Sequence, residues 1–497
     1  MRGFVPMLLY LINPRNAAIY AHHYRSNRLS RYRVWKPLGL GVVAQLTPPS
    51  WTVRIIDENV TSPEYALLPT PDLVGLTAFT AQASRAYELS DQFRRRGVTV
   101  AMGGIHATVR VEEALGYVDA VVSGEAESSW GQLLEDWQHG TLKRVYQGPR
   151  VEASAIGPAR HDLLPAGFAF GSIQTTRGCP LNCSFCSVTT FNGRRFRLRP
   201  IPDVVAEFRK IPERRVLIVD DNLCGTAPAH LARTKGLFRA MIEADLRKKW
   251  ICQATLNIAD DEELLDLAAR AGCFGVFIGY ESVTSEGLSE INKKFNLRSA
   301  ADIRASVRRL QRRGITVIGS FILGLDADKA SAGLQIARAA HAYGLDGLNL
   351  LLMTPLPGTP LWEKMEAHGR IVAHSFPDDW QYYTLCMPVA QYMHLSWTDL
   401  VEEFMSSLRA FYSRRRIAAR CLRRVLHARS GRGVVTSLVV NLLCRQDIPL
   451  NVQRFRGYDL GRGSVPLARQ APQRSSDGPV TSKADGDQQI PCSIASG

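Results

Sequence analysis

The sequence predicts an α/β protein made of two successive strand–helix units followed by a helical extension. Three observations carry this. Short apolar runs alternate with helix-period segments over residues 1–150 and again over 170–390. A proline-containing stretch over 151–169 separates the two series and reads as a linker. From 391 to 460 the pattern becomes helical and strongly basic, and 461–497 is rich in Ser, Gly, Pro, Gln and Asp, the composition of a disordered tail. The 497 residues, 45% hydrophobic and 22% charged, suffice for two or three cores.

In the first unit, strands are predicted at 5–12, 53–56, 73–78, 98–102 and 120–122. Five strands with helices between them imply a doubly wound parallel sheet, whose ligands sit beyond the carboxyl ends of the strands. Two of those ends carry glycine where a ligand backbone can come close: Gly103-Gly104-Ile105-His106 and Ser123-Gly124-Glu125-Ala126-Glu127. Glycine is also an ordinary turn residue. The apolar stretch 5–12 leads into Asn13-Pro14-Arg15 without a small-residue cleavage site, so it reads as a buried first strand rather than a secretion signal. No run of about 18 apolar residues is present to span a bilayer. Ten cysteines are too sparse for a disulfide framework. These features place the expected protein in the cytoplasm.

The second unit has predicted strands at 172–175, 216–219, 251–254, 275–278, 316–322 and 348–353, with helices such as 262–271 and 300–313. Polar or glycine groups follow the strands: Asp220-Asp221-Asn222, Gln253, Gly279-Tyr280-Glu281-Ser282, Gly319 with Gly324, and 354–359. In barrels of parallel strands such positions carry function. Its most informative segment is Cys179, Cys183 and Cys186 in a C-x3-C-x2-C array. Iron–sulfur cubanes usually take four cysteines, so three thiolates leave one iron open to a small chelating ligand. A zinc site is the other reading, but closed zinc sites want four ligands, commonly in two pairs, and no second pair follows. Phe185, just before the third cysteine, is an apolar neighbour able to shield a cluster.

The array resembles that of the radical S-adenosylmethionine enzymes, and with it the six strand–helix repeats resemble that family's partial (β/α)6 barrel. The resemblance implies a 4Fe-4S cluster on Cys179, Cys183 and Cys186, with S-adenosylmethionine on the open iron. The Gly279 to Ser282 segment resembles the family's Gly-x-Glu-Ser element and makes Glu281 the candidate for the amino or ribose end of S-adenosylmethionine. Asp220, Asp221 and Gln253 are expected to position ligands, and Gly319 and Gly324 to let backbone approach the adenine. Val74-Gly75-Leu76-Thr77, Met102 to His106 and Ser123 to Glu127 resemble the cobalamin-binding domain that precedes the radical barrel in one branch, with Gly103, Gly104, His106, Gly124 and Glu125 as candidate contacts. An Asp-x-His-x-x-Gly motif is missing, since Gly104 stands two residues before His106, which implies cobalt without a histidine ligand from that motif.

Across its length the chain resembles the hopanoid and bacteriochlorophyll methylating branch. The implied reaction is methyl transfer to an unactivated carbon of a lipid, terpenoid, tetrapyrrole or other secondary metabolite, with a flavodoxin or ferredoxin as electron donor. The rivals are a radical cyclase or rearrangement enzyme that keeps cobalamin, a transfer-RNA methylthiotransferase, and a non-catalytic iron–sulfur or cobalamin sensor. The methylthiotransferase would carry a further cluster on its first domain, and no cysteine precedes Cys179.

The net charge of +15 is partly local: residues 404–446 hold ten arginines and no acid, followed closely by an apolar run at 434–443. Such a pairing fits an interfacial helix on an anionic membrane, at the inner face, better than a span. A solvated helix face is the other reading. Nucleic acid fits less well, because little beyond Phe411 and Tyr412 could stack on bases. Cys224, Cys252 and Cys273 read as small buried hydrophobes, His161 and His22-His23 lack partners at any metal spacing, and Trp380-Gln381-Tyr382-Tyr383 reads as core or as a cavity wall.

Overall fold

The computed structural model describes residues 6–16, 18, 35–61, 63–427, 431–455 and 457–470. His22, His23 and the expected tail beyond 470 lie outside them. The first unit runs β1 (Met7–Asn13), α1 (Leu38–Leu46), β2 (Trp51–Asp57), β3 (Leu73–Thr77), α2 (Ala83–Arg94), β4 (Thr99–Gly103), α3 (Ile105–Val109), α4 (Val111–Leu115), β5 (Ala120–Ser123), α5 (Trp130–Gln138) and β6 (Val145–Gln147). All six strands are parallel, in the order β2-β1-β3-β4-β5-β6. The sixth is absent from the sequence expectation because three residues with only Tyr146 buried leave no apolar run to read.

β1 lies inside the sheet between β2 and β3, with four consecutive buried residues, as a parallel strand covered on both faces must have. Leu9 and Leu11 pack with Leu40, Trp130 and Leu133 on one side. Tyr10 and Ile12 share the opposite core with Val74, Met102, Trp362, Trp380 and Tyr383. The aromatic segment at 380–383 is thus part of the core that joins the two units, not a cavity wall.

The second unit runs β7 (Gly171–Ile173), β8 (Thr176–Arg177), α6 (Ser187–Phe191), β9 (Arg197–Leu198), α7 (Ile201–Lys210), β10 (Arg215–Ile218), α8 (Pro228–Glu243), β11 (Lys249–Ala254), α9 (Glu262–Arg270), β12 (Cys273–Glu281), α10 (Ser285–Glu290), α11 (Ala300–Arg312), β13 (Thr316–Leu323), α12 (Ala332–Tyr343), β14 (Gly347–Leu352) and α13 (Pro360–Ala367). Its six-stranded parallel sheet, β7-β10-β11-β12-β13-β14, follows chain order, so each crossover adds one strand to the growing edge. Helix starts follow from local chemistry: Asp261 accepts from the Leu264 amide at the head of α9, and Ser299 from the Asp302 amide at the head of α11. On α11 the buried residues Ile303, Val307 and Leu310 recur at helical spacing. Cys224, Cys252 and Cys273 are buried in the same core, as expected of small apolar groups.

Among the described residues, three longer helices and a short one follow the barrel: α14 (Trp397–Phe411), α15 (Arg414–His427), α16 (Gly431–Arg454) and α17 (Leu467–Gln470). Residues 461–470 are docked rather than disordered. Arg462 pairs with Asp379 at 2.7 Å, and the Leu467 amide donates to the Tyr392 carbonyl. No described helix is long and apolar enough to cross a membrane. In the linker, His161 has the partner its sequence context did not reveal: its Nε2 lies 2.8 Å from Glu207, which also pairs with Arg199.

Candidate functional site

The cysteine array sits on the loop between β8 and α6, beyond the carboxyl end of β7. Two things hold that loop. The β8–β9 hairpin sets its base, with Arg177 opposite Arg197. Gly178, at φ +90°, lets the chain pass under it: a side chain there would collide with the Arg195 carbonyl. Its far side is tied to the segment after α10, where the Ser184 amide donates to the Ile291 carbonyl and Asn292 to the Asn182 carbonyl. Thr190 of α6 donates to the Gly358 carbonyl. Phe185 packs against the barrel core, as expected of a shielding neighbour.

Each thiol lies within electrostatic reach of another. Burial pushes Cys183 up to about 11 and Cys186 to about 12, and raises Cys179 as well, so binding a metal here displaces protons. Among the described residues no three His, Cys, Asp or Glu side chains converge on one ion. A cubane asks for a different arrangement, since each thiolate takes a separate iron. A single loop of thiols beside polar side chains fits it.

Those polar groups come from the strand ends. Glu281 closes β12 at φ +65°, a left-handed conformation that strains a residue with a side chain. Its carboxylate meets Lys293 Nζ at 2.5 Å, and both side chains are buried. Burial pulls the Lys293 ammonium down, but Glu281, Cys183 and Cys186 outweigh it and leave it raised. Lys293 thus offsets thiolate charge at two cluster positions. Gly279 clears the space for this pair, because a methyl there would strike Glu281 Oε1 and Lys293 Nζ. Nothing in the motif pattern marks Lys293, which comes 12 residues after Glu281 in a polar turn.

The other predicted residues divide. Asp221 lies beside the loop, accepting from Asn192 Nδ2 at 3.0 Å, and Asn222 hydrogen-bonds toward Cys179. Gln253 shares its sheet row with Phe277 and lies between the buried Cys252 and Ala254. Asp220 has a different task from the one expected. It is fully buried, takes the Thr175 amide and hydroxyl at 2.5 Å each, and is pushed up to about 6 by burial. It secures the strand end that launches the loop. At Gly319 the missing side chain leaves room for Leu345, Phe321 and Tyr280, and at Gly324 for Tyr392 and Leu400, so packing accounts for both glycines.

In the first unit the carboxyl ends of β1, β3, β4 and β5 open into a cavity of about 350 Å³. Gly103, Gly104, Gly124 and Glu125 line it, and so do Arg177, Phe191 and Asn192 of the cluster loop. At Gly124 a side chain would find open space, leaving backbone exposed for a large ligand. His106 is not among the lining residues. It is completely buried, with Nε2 3.0 Å from the Tyr87 hydroxyl and its ring against Trp380, because its helix turns it toward the core between the units. Glu125 is also less free than expected: Arg197 grips it at 2.5 and 2.9 Å, and Arg177 stands 3.4 Å away. Burial pushes its carboxyl up, but these arginines and the Val151 amide hold it below the usual value. Arg177 also reaches Glu127 at 2.9 Å, so the residue two before Cys179 is clamped by the first unit.

Comparisons agree with this geometry on both halves. The Radical SAM superfamily model matches residues 173–340 and the B12 binding domain model residues 24–134. The chain is 29% identical over 395 residues to the bacteriochlorophyllide d C-12(1)-methyltransferase of Chlorobaculum tepidum, covering 76% of this chain and 82% of that one. It is 27% identical over 346 residues to the hopanoid C-2 methylase of Rhodopseudomonas palustris, covering 68% and 65%. Its fold is shared with TsrM from Kitasatospora setae, a radical S-adenosylmethionine methyltransferase solved with cobalamin and a 4Fe-4S cluster, at TM-score 0.61 and 18% identity over 81% of this chain and 91% of that one. A B12 binding match on the first unit is thus followed by a Radical SAM match on the second, and relatives named as methyltransferases align across both.

Proposed function

We propose that this enzyme methylates an unactivated carbon of a lipid, terpenoid, tetrapyrrole or similar secondary metabolite. The observation that carries the reading is the cavity shared by the glycine-lined strand ends of the first unit and the cluster loop of the second. When bound, the cluster with S-adenosylmethionine supplies a hydrogen-abstracting radical, and cobalamin supplies the methyl group. In this reading Cys179, Cys183 and Cys186 hold the iron. Glu281, fixed by Lys293, presents its remaining acceptor capacity to the amino or ribose end of S-adenosylmethionine. Asn222 and Asp221 steady the loop from below, and Gly103 and Gly124 give cobalamin a close backbone approach. Arg177 keeps loop and cavity in one register through Glu125 and Glu127. A flavodoxin or ferredoxin supplies the low-potential electron.

The test is product stoichiometry under anaerobic reconstitution with a cell extract as substrate source. Methylation yields S-adenosylhomocysteine and 5′-deoxyadenosine together, with one extract component gaining the mass of a methylene. Deoxyadenosine without S-adenosylhomocysteine would turn the assignment to cyclisation or rearrangement, and no cleavage of S-adenosylmethionine would turn it to a sensor.

A membrane contact for the same substrate class rests on the outward faces of α15 and α16. Leu422, Val425 and Leu426 on one helix, and Val435, Val439 and Leu442 on the other, are exposed. Arg414, Arg415 and Arg416 are exposed at the head of α15.

A further inference from the structure

The helical extension differs from a simple basic surface in one place. Where β13 and β14 begin, at the opposite end of the barrel from the cluster loop, α11 and α15 enclose a cavity of about 180 Å³. Arg304, Arg308 and Arg312 line it from α11, spaced four residues apart along one helix face, and Arg420, Arg423 and Arg424 line it from α15. Like charges at this helical spacing repel. Two such rows facing one another compound the cost. A single carboxylate, Asp346, lies among them. Its Oδ2 is already taken by the Val317 amide at 2.9 Å and Gln311 Nε2 at 3.0 Å, and Oδ1 stands 3.3 Å from Arg424 Nε.

Neighbouring arginines show what the pocket lacks. Arg313 points away to Asp266 and Glu262, and Arg309 and Arg298 to Asp260. Among the described residues, Arg304, Arg308, Arg312 and Arg420 make no ion pair. Arg420 and Arg424 are only 3% and 4% exposed, yet Arg420 Nη1 and Arg424 Nη2 are buried without a hydrogen-bond partner among the described residues. Arg420 is held in place by Asn441 and the Phe411 carbonyl, with its guanidinium 3.9 Å from the Phe411 ring. Beside them Arg423 Nη2 lies 3.2 Å from His341 Nδ1. Burial first, and then Arg423, Arg416, Arg420 and Arg304, pull that imidazole down to about 4.

Buried guanidinium donors without partners are costly, and their planar forks match phosphate oxygens. We propose that this pocket binds a phosphate-bearing anion, a phosphate monoester, pyrophosphate or the phosphodiester of a lipid headgroup. The proposal stands apart from the cofactor reading, since the pocket lies at the other end of the barrel.

The test uses the full reconstituted chain at low ionic strength. Calorimetry with inorganic phosphate and with pyrophosphate is run beside sedimentation with vesicles made anionic either by phosphatidylglycerol or by a fatty acid, which carries charge but no phosphate. The comparison variant is Arg304→Gln with Arg308→Gln, both exposed positions that the core does not need. Saturable binding of the free anions, reduced roughly tenfold or more in the variant, supports the proposal with a soluble ligand. Preference for phosphatidylglycerol over fatty-acid vesicles, lost in the variant, supports it with a lipid ligand. In phosphate-free buffer the variant should unfold at the same or a higher temperature than the parent, because two repelling charges are gone. No affinity for any phosphate form, or affinity unchanged by the substitutions, overturns the proposal.

Discussion

Glu281 is constrained in both its backbone and its side chain. The φ of +65° is held because the carboxylate is drawn to Lys293, and Lys293 is drawn to the thiols. Replacing Lys293 with Met should strand a buried carboxylate and cost about 3–5 kcal/mol of stability. Thermal unfolding of the apo chain reads that cost, and pairing the change with Glu281→Leu should recover part of it. The iron retained per chain after desalting should fall in Lys293→Met, since positive charge is lost beside Cys183. Retained iron and an unchanged melting temperature would count against the pairing. The three cysteines stood out as a group because a cluster array fixes local spacing, and Glu281 was singled out by its resemblance to a Gly-x-Glu-Ser element. Lys293 was not, because a buried ion pair needs only proximity in space. His106 misled for the same reason: sequence shows a histidine after a strand, but the turn of α3 that aims it at Trp380 is a tertiary fact.

At the scale of elements, the strands were readable wherever an apolar run reached three residues, and ten of the eleven that were expected lie within two residues of the observed bounds; the exception, at 275–278, falls three short of the end of β12. The basic segment was read correctly as helix, but which of its arginines face outward was not readable. A helical wheel has no knowledge of which face the barrel will claim, and the barrel claims Arg420 and Arg424. Beyond the exposed Arg414 to Arg416, α15 and α16 leave several large apolar side chains outward, the kind of group that marks an interaction surface. Substituting Leu422 and Leu426 by Gln should therefore reduce sedimentation with both phosphatidylglycerol and fatty-acid vesicles, since it removes apolar insertion rather than phosphate recognition. Equal recovery of parent and variant with the vesicles would dismiss the membrane reading and leave the arginine pocket to its own test.

For the whole molecule, the joint between the two units is set by charge as well as by the aromatic core around Trp380. Glu125 contributes to it through Arg197 and Arg177. Its carboxyl is held below the ordinary 4.5. A depressed carboxylate contributes stability that is present above its unfolded value and is lost as pH falls through its folded one. The melting temperature of Glu125→Gln should therefore lie below that of the parent at neutral pH, and the gap should close as the medium is acidified below about pH 4.5. A gap that stays constant across that range would assign the loss to packing instead. The clamp on Arg177 also bears on how such proteins can be rebuilt. A first unit exchanged for that of a relative would arrive with its own acidic partners and its own half of the shared cavity wall, and unless Arg177 and Arg197 found carboxylates in the same places, the loop carrying Cys179 would lose its outer anchor. The N-terminal sheet is therefore not a portable cassette: the boundary at which a chimera should be cut lies after β9, so that both arginines travel with the glutamates they serve.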